Sequence, residues 1–227
     1  MSPSVTNFAT LSPAEQREFV RQNTRLQSPT LLPELRLHLA DEVTPLWRLT
    51  EEALGDLGLP PPFWAFAWAG GQGLARYLLD HPYEAKDRRM VDLATGSGLV
   101  AIAAMKSGAK AALGIDIDRF CAPAVALNAK ANGVKVQFRV EDVLKGPPPD
   151  ADLVTAGDVG YERPMAEAMR AYLFRAHQNG ARVLLGDPGR TYFDAKGLVK
   201  LGEYRAGTTL ELEDQEVKRT DVWTFAD

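Results

Sequence analysis

Three acids, Asp92, Asp116 and Asp142, recur along the middle of the chain, and the first leads into two glycines, Gly96 and Gly98, in the stretch VDLATGSGLVA. Glycine accepts a positive φ and lets a ligand approach backbone that a side chain would cover. A helix starting directly after such a turn adds free N–H groups and the positive end of its dipole. GSGLVA satisfies the dinucleotide pattern GxGxxG/A with Ala101 in the last place, which alone says only that something polar sits above the turn. The acids narrow the choice. Asp92 precedes the glycines, where it would repel a pyrophosphate but accept hydrogen bonds from a cationic amino group. That favours a nucleotide bearing an amino acid, S-adenosylmethionine. Asp116 can take both ribose hydroxyls, a contact that NAD would also make. Asp142 is placed to accept the adenine amino group, with Val143 or Leu144 packed on the ring. Ala94 and Thr95 in the turn and Ile117 beside Asp116 complete the expected cofactor contacts. Each residue also has a plainer use: Asp116 or Asp118 as a helix cap, Asp142 as a turn former. Their joint occurrence at successive strand ends, where open α/β sheets bind ligands, carries the cofactor reading.

Such placement requires strands alternating with helices, and from Arg89 the sequence supplies them. RRMVDLA, AALGID, VKVQFRV, ADLVTAGD and ARVLLGD read as strands. Helices over Leu99 to Ser107, about Ala122 to Asn132, and Pro164 to Gln178 lie between them. The alternation predicts a parallel sheet with helices on both faces. The tail holds LGEYRAGTTLEL and QEVKRTDVWTF around the acidic EDQ, a closing antiparallel hairpin. Before the proline cluster LPPPF, residues 1–60 read as an accessory segment ahead of the catalytic domain, 61–227. There Ser12 caps a helix over Ala14 to Gln22. ELRLHLA, with Leu35, Leu37 and Leu39, alternates as a half-buried strand, and LWRLTEEALGDLG suggests a second helix.

Composition excludes several classes. The chain has 227 residues and a formal charge of −4, which argues against nucleic acid or an acidic membrane as partner. Cys121 is the single cysteine, so neither an internal disulfide nor a thiolate metal site can form. His38, His81 and His177 are scattered, and no metal is expected. The N-terminus lacks a long apolar run and a basic start, so the expectation is a soluble, unexported protein, cytoplasmic or, in a eukaryote, of the mitochondrial matrix.

The motif VDLATGSG resembles that of the seven-strand, class I S-adenosylmethionine-dependent methyltransferases. This resemblance covers about residues 89–227 and implies a Rossmann-like, doubly wound, seven-stranded, mostly parallel sheet. Ala94 stands where that family usually has its first glycine, and an ordinary negative φ is expected for it. PPFWAFAWAGGQGLARYLLDHP, GDVGYE, LLGDPGR and FVRQNTRLQSPTLLPELRLHLA are similar to the protein-lysine methyltransferases that modify the electron transfer flavoprotein β subunit. That likeness spans nearly the whole chain. It implies methyl transfer from S-adenosylmethionine to protein lysine, with S-adenosylhomocysteine as product and the flavoprotein subunit as partner.

In the same reading Trp68, Gly70 and Gly71 border the methionine end of the cofactor. A helix starts near Gln72, whose amide could reach the cofactor carboxylate. Asp158, Val159, Gly160 and Tyr161 fit the DxxY pattern. Asp158, counted also among the cofactor contacts, would dock and orient the lysine ammonium, and Tyr161 would wall it. Gly160 replaces an aromatic and is expected to leave an open wall. Glu162, Asp187 and Arg190 are substrate-side candidates. From the residues alone, Trp64, Phe66 and Trp68 form either a core plug or an aromatic wall. The rivals are another protein or a small amine as acceptor, a noncatalytic module, and an NAD oxidoreductase. The last lacks a proton-transfer pair such as SxxxYxxxK. The NPPY signature of asparagine and glutamine methylation is absent.

Overall fold

Among the described residues the first element is helix α1 (Pro13–Gln22), opened by a capping box in which Ser12 Oγ accepts the Glu15 N–H and the Glu15 carboxylate accepts the Ser12 N–H at 2.8 Å. This is a computed structural model, and it describes residues 11–41, 54–55, 61–208 and 217–226. The second N-terminal helix expected over LWRLTEEALGDLG, apart from Leu54 and Gly55, and the EDQ turn lie outside those residues. After α1, β1 (Arg25–Gln27) pairs antiparallel with β2 (Leu37–Leu39), in which Leu37 and Leu39 are buried and His38 is half-buried, the alternation that ELRLHLA predicts.

Helix α2 (Ala69–Asp80) follows the aromatic stretch, with Trp68 as its N-cap. It starts three residues before Gln72, so Gly70 and Gly71 belong to its first turn rather than to a loop ahead of it. The alternating part is β3 (Arg89–Leu93), α3 (Leu99–Lys106), β4 (Ala111–Asp116), α4 (Cys121–Ala131), β5 (Gln137–Val140), β6 (Leu153–Gly157), α5 (Arg163–Gln178) and β7 (Arg182–Asp187). The hairpin β8 (Leu198–Gly207) and β9 (Val217–Phe225) closes it.

These seven strands form one sheet in the order β5-β4-β3-β6-β7-β9-β8, parallel except where β9 meets β7 and β8. The chain runs outward from β3 to β5, then returns to start again at β6 beside β3. A crevice therefore opens at the carboxyl ends of β3 and β6, where such sheets take ligands.

Burial follows the two-residue period of the strands. Leu93, Val154, Ala156, Val183 and Leu185 pack with α5, whereas Met90, Leu153 and Leu184 pack with Leu74 and Leu78 of α2 and Val100 and Ala104 of α3. The N-terminal segment is fastened to this core. Val20 and Phe19 pack with Trp64 and Phe120, and the β2 backbone is hydrogen-bonded along α4. There Asn128 Oδ1 accepts the His38 N–H at 2.6 Å, and Asn132 exchanges bonds with the N–H and C=O of Arg36 at 3.0 and 2.6 Å. Among the described residues no helix is long and apolar enough to cross a membrane.

The first turn of α2 lies directly on the ends of β6 and β7, backbone against backbone. A Cβ on Gly70 would strike the carbonyl of Gly186 and stand 2.6 Å from Asp158 Oδ2, and one on Gly157 would stand 3.0 Å from the Gly71 nitrogen. Gly70→Ala should therefore lower unfolding free energy by about 1–3 kcal/mol in chemical denaturation. Gly146→Ala, whose Cβ meets nothing nearer than 3.9 Å, should change it by no more than about 0.5 kcal/mol.

Candidate functional site

A cavity of about 560 Å³ occupies the crevice. The sheet and its turns bring Asp92, Ala94, Thr95, Gly96, Asp116, Ile117, Asp142, Val143, Asp158, Tyr161, Arg190, Trp68 and Gly71 together around it. Several of the expected residues do not line it. Gly98 is the N-cap of α3, with φ 79°, and a Cβ there would meet Val125, so its lack of a side chain serves helix packing. Gly70 is buried in the contact between α2 and the sheet. Glu162 sits ahead of α5 as its N-cap, outside the cavity. Asp187 is 3% exposed, with Oδ1 accepting the N–H groups of Gly189 and Arg190 at 2.7 and 2.8 Å, so it organises the turn behind the cavity. Gln72 is also turned away. Its Nε2 donates to Ala67 O at 2.6 Å and to Gly207 O at 3.4 Å, so the amide holds the segment before α2 against the hairpin.

The turn after β3 differs from expectation at one residue. Ala94 has φ 51°, in the left-handed region, followed by Gly96 at the same angle. The turn has to fold back over β4, where Thr95 N–H reaches Ile115 O at 3.2 Å and Gly96 N–H reaches Asp116 Oδ2 at 3.0 Å. Those bonds hold Ala94 in a conformation a glycine would adopt without strain.

Asp92 is 1% exposed and accepts the hydroxyls of Thr95 and Thr155 at 2.5 and 2.6 Å. Burial pushes its carboxyl up to about 6; the Thr155 and Thr95 hydroxyls oppose this, and the Asp116 charge adds to it. Asp118 is likewise raised to about 6, by burial, while its Oδ1 accepts the Phe120 N–H at 2.8 Å just ahead of α4. Asp116 is braced at both oxygens, by Gly96 N–H and, at 3.0 Å, by Asp118 N–H. Asp142 opens the 3-10 turn Val143–Lys145, accepting the Leu144 N–H at 3.2 Å, and its other oxygen lies 3.1 Å from Lys145 Nζ. Capping and ligand roles are thus compatible here, since each carboxylate keeps lone pairs beyond its backbone bond. Glu141 also lines the cavity. Among the described lining residues, six carboxylates face one cation, Arg190. Cys121 lines it as well, and burial raises its thiol, so it remains an unreactive packing group.

The aromatic stretch divides its work. Trp64 is 2% exposed and stacks on Phe120 with centroids 6.3 Å apart, so it is the core plug. Phe66 and Trp68 form the wall with Phe63, which the sequence pattern did not single out. Phe63 is 5.7 Å from both Trp68 and Tyr161, and its carbonyl accepts the Trp68 indole N–H at 3.0 Å. Phe63 is 42% exposed and Tyr161 50%, which puts two aromatic faces at the mouth.

Asp158, at φ 57°, stands between this wall and the turn after β7. Its Oδ2 accepts the Gly71 N–H at 2.8 Å, and its Oδ1 accepts Arg190 Nη2 at 2.7 Å and Nε at 3.2 Å. Arg190 in turn lies over the Trp68 ring, 5.6 Å from the centroid. Gly160 does not leave an open wall. A Cβ there would stand 3.0 Å from Phe193 and 3.2 Å from Arg190 Cβ, so the turn after β7 fills the place of the absent side chain. Asn128 is a further residue the sequence reading missed. Fully buried, it donates from Nδ2 to Ser97 O at 2.8 Å while holding β2 through Oδ1, so it ties the glycine turn to the N-terminal segment. Its only signal in the sequence is an amide on the packed face of an otherwise apolar helix.

Residues 75–157 match the family model of the ribosomal protein L11 methyltransferase (PrmA). The electron transfer flavoprotein beta subunit lysine methyltransferase of Xenopus laevis is 34% identical over 217 residues, covering 92% of this chain and 86% of its own length. The Homo sapiens protein of that name is 33% identical over 218 residues, covering 93% and 82%. Among solved structures, ribosomal protein L11 methylase from Lactobacillus delbrueckii subsp. bulgaricus superposes with a TM-score of 0.51 at 20% identity over 71% of this chain and 81% of that one, a likeness of fold.

Two outcomes follow from this geometry. Ala94→Gly should leave the cavity intact and raise unfolding free energy by up to about 1 kcal/mol, the relieved φ strain outweighing the greater entropy of the unfolded glycine. The charge state of Asp92 and Asp118 sets the second. Each folded-state value of about 6 lies above the ordinary one, so the stability these groups contribute is present at low pH and lost as pH rises through about 6. A cation in the cavity reverses that cost by favouring the ionised acids. Affinity for a cationic amino ligand such as S-adenosylmethionine, measured by calorimetry, should fall by about tenfold or more from roughly pH 7 to roughly pH 5. Asp92→Asn should remove the part of that dependence that Asp92 carries and leave the part from Asp118.

Proposed function

This chain belongs to the family of electron transfer flavoprotein beta subunit lysine methyltransferases, and we propose that it transfers methyl groups from S-adenosylmethionine to lysine side chains of that flavoprotein subunit. The observation that carries the reading is the charge of the cavity: among the described lining residues six carboxylates stand around one guanidinium beside an aromatic mouth, with Lys145 and Arg139 reaching only Asp142 and Glu141 from outside. Both reactants of the proposed transfer are cations. The pyrophosphate of a nicotinamide dinucleotide would meet Asp92, Asp116 and Asp118 at close range, which weighs against the oxidoreductase alternative.

The residues suit the donor. Asp92, buried among hydroxyls, gains a counter-charge from an amino cation. Asp116, already oriented by two N–H groups, offers its remaining lone pairs to ribose hydroxyls. Ile117, 74% exposed at the cavity edge, and Val143 provide apolar faces for an adenine, with Asp142 at its amino edge. Bound there, S-adenosylmethionine would supply a sulfonium methyl open to in-line attack by an amine lone pair, with the neutral thioether as leaving group.

The chain's remaining task is to aim the acceptor. A lysine ammonium, at about 10.4 when free, has no lone pair to donate, and a dry slot beside another cation lowers that value. Phe63, Trp68 and Tyr161 suit the stem and head of a lysine, because aromatic faces attract an ammonium without taking its proton. Burial, then the charges of Glu162 and Asp116, raise the Tyr161 phenol, so it stays protonated and serves as a wall and hydrogen-bonding group. Asp158 docks and orients the ammonium before its proton leaves through water. Its carboxylate would hold that proton rather than speed its loss, so general base is not its role. Glu162 and Asp187, outside the cavity, act at most through the surfaces and turn they support.

Intact mass spectrometry of purified electron transfer flavoprotein β subunit, incubated with this chain and S-adenosylmethionine, tests the proposal. Methyl-sized increments that vanish with Asp92→Ala are expected. Asp158→Asn should lower kcat by about 10- to 100-fold while donor affinity stays within about twofold. Undiminished transfer by that variant would remove Asp158 from the acceptor site. Donor binding without any increment would send the search to a different amine.

A further inference from the structure

The carboxylate that would receive the acceptor already holds a cation of this chain. Arg190 Nη2 and Nε stand 2.7 and 3.2 Å from Asp158 Oδ1, and the guanidinium lies 5.6 Å from the Trp68 centroid. A carboxylate and an aromatic face are the same two partners that a lysine ammonium would use in this cavity. Asp158 has little room for both, because Oδ2 is committed to the Gly71 N–H at 2.8 Å and Oδ1 to the guanidinium.

The position of Arg190 is set from behind. Asp187 Oδ1 accepts its N–H at 2.8 Å, Gly189 turns the chain at φ 86°, and the turn packs on Gly160, so the side chain is delivered over the cavity rather than to solvent. Its side chain retains 18% exposure at the edge of the cavity, which leaves an exit. The pair is mostly buried, so a ligand opens it only by giving Asp158 a replacement cation, as an ammonium would.

We propose that Arg190 is an internal stand-in for the acceptor ammonium, seated on Asp158 and Trp68 until a substrate lysine displaces it, so that it sets the threshold an acceptor must exceed to be methylated. The proposal rests on the lysine-methylation reading and adds a specificity-determining residue to it. Stray amines and single lysines on unrelated surfaces compete poorly with a tethered guanidinium. A lysine presented by a docked protein surface brings enough additional contact to win. The donor assists, because a second cation entering the cavity repels the guanidinium and loosens the pair.

The decisive variant is Arg190→Lys. A lysine amine is attached at the place of the guanidinium carbon, one atom beyond Nε, and Nε itself lies 3.2 Å from Asp158, so the introduced amine reaches the same seat. If that seat is the acceptor position, the variant methylates itself. The amine loses its proton to water, its lone pair forms the N–C bond, the S–C bond of the sulfonium breaks, and the neutral thioether leaves. The variant is incubated with S-adenosylmethionine alone, then analysed by intact mass and peptide fragmentation. Methylation at position 190 is expected, absent from the wild-type chain and lost when Asp158→Asn is added. Alongside it, Arg190→Met, which keeps the packing on Trp68 without the charge, should lower the acceptor KM by roughly tenfold.

No methylation at position 190 in a variant that binds the donor by calorimetry, with an acceptor KM in Arg190→Met that is unchanged or higher, overturns the stand-in and makes Arg190 a fixed strut for Asp158. Wild-type transfer to the flavoprotein subunit, assayed in parallel, separates the two ideas. Its presence together with both of those results removes the stand-in alone. Methylation at position 190 without transfer to the flavoprotein removes that acceptor and keeps the stand-in.

Discussion

The architecture of the site depends on one contact, the first turn of α2 pressed against the ends of β6 and β7 with no side chain between them. Gly70, Gly157 and Gly186 make it possible, because a Cβ on any of them would meet backbone at 3.0 Å or less. The approach brings the Gly71 N–H to Asp158 at 2.8 Å, so a free donor at the start of a helix is satisfied by the carboxylate that faces the cavity. It also fixes Trp68, the N-cap, at the mouth. Widening this contact would separate the aromatic wall from the acid it works with. The close packing is therefore what turns residues from α2, β6 and the turn after β7 into one surface.

Charge explains the rest of the cavity. Buried carboxylates cost the protein stability, and burial accordingly raises Asp92 and Asp118. At Asp92 threonine hydroxyls reduce that cost without supplying a positive charge, so that acid remains set up for a ligand that brings one, while Asp118 has the Arg119 charge near it. Lys145 and Arg139 reach Asp142 and Glu141 from outside the lining, and Arg190, on Asp158 and away from the glycine turn, is the one cation among the described lining residues.

Much of this was legible in the sequence. The order of strands and helices after Arg89 followed from apolar periodicity, and the observed strands at Ala111–Asp116 and Arg182–Asp187 agree with the expected runs almost residue for residue. The gathering of Asp92, Asp116 and Asp142 around one cavity was legible because their positions depend on strand ends, which periodicity locates. What failed depended on contacts distant in sequence. Nothing local distinguishes Trp64, buried on Phe120, from Phe63, exposed at the mouth. The positive φ of Ala94 is imposed by bonds to β4, not by its neighbours. Gly160 suggested a gap because the turn that fills it arrives from some thirty residues later, and Gln72 was drawn to the cofactor when a loop carbonyl had the stronger claim. Asp187 and Glu162 were named as substrate-side candidates by motif, whereas Asp187 braces the turn behind the cavity and Glu162 stands outside it, ahead of α5, with no capping bond from its side chain.

The double bond-making of Asn128 has a consequence for how the molecule comes apart. One buried amide links the backbone of β2 to the carbonyl of Ser97, so the N-terminal strand pair and the turn above Asp92 share a single support. Loss of either partner leaves half of that amide unsatisfied in an apolar interior, a penalty that couples the two openings. The segment that reads in sequence as an appendage thus belongs to the same cooperative unit as the turn, and the two regions loosen or hold together.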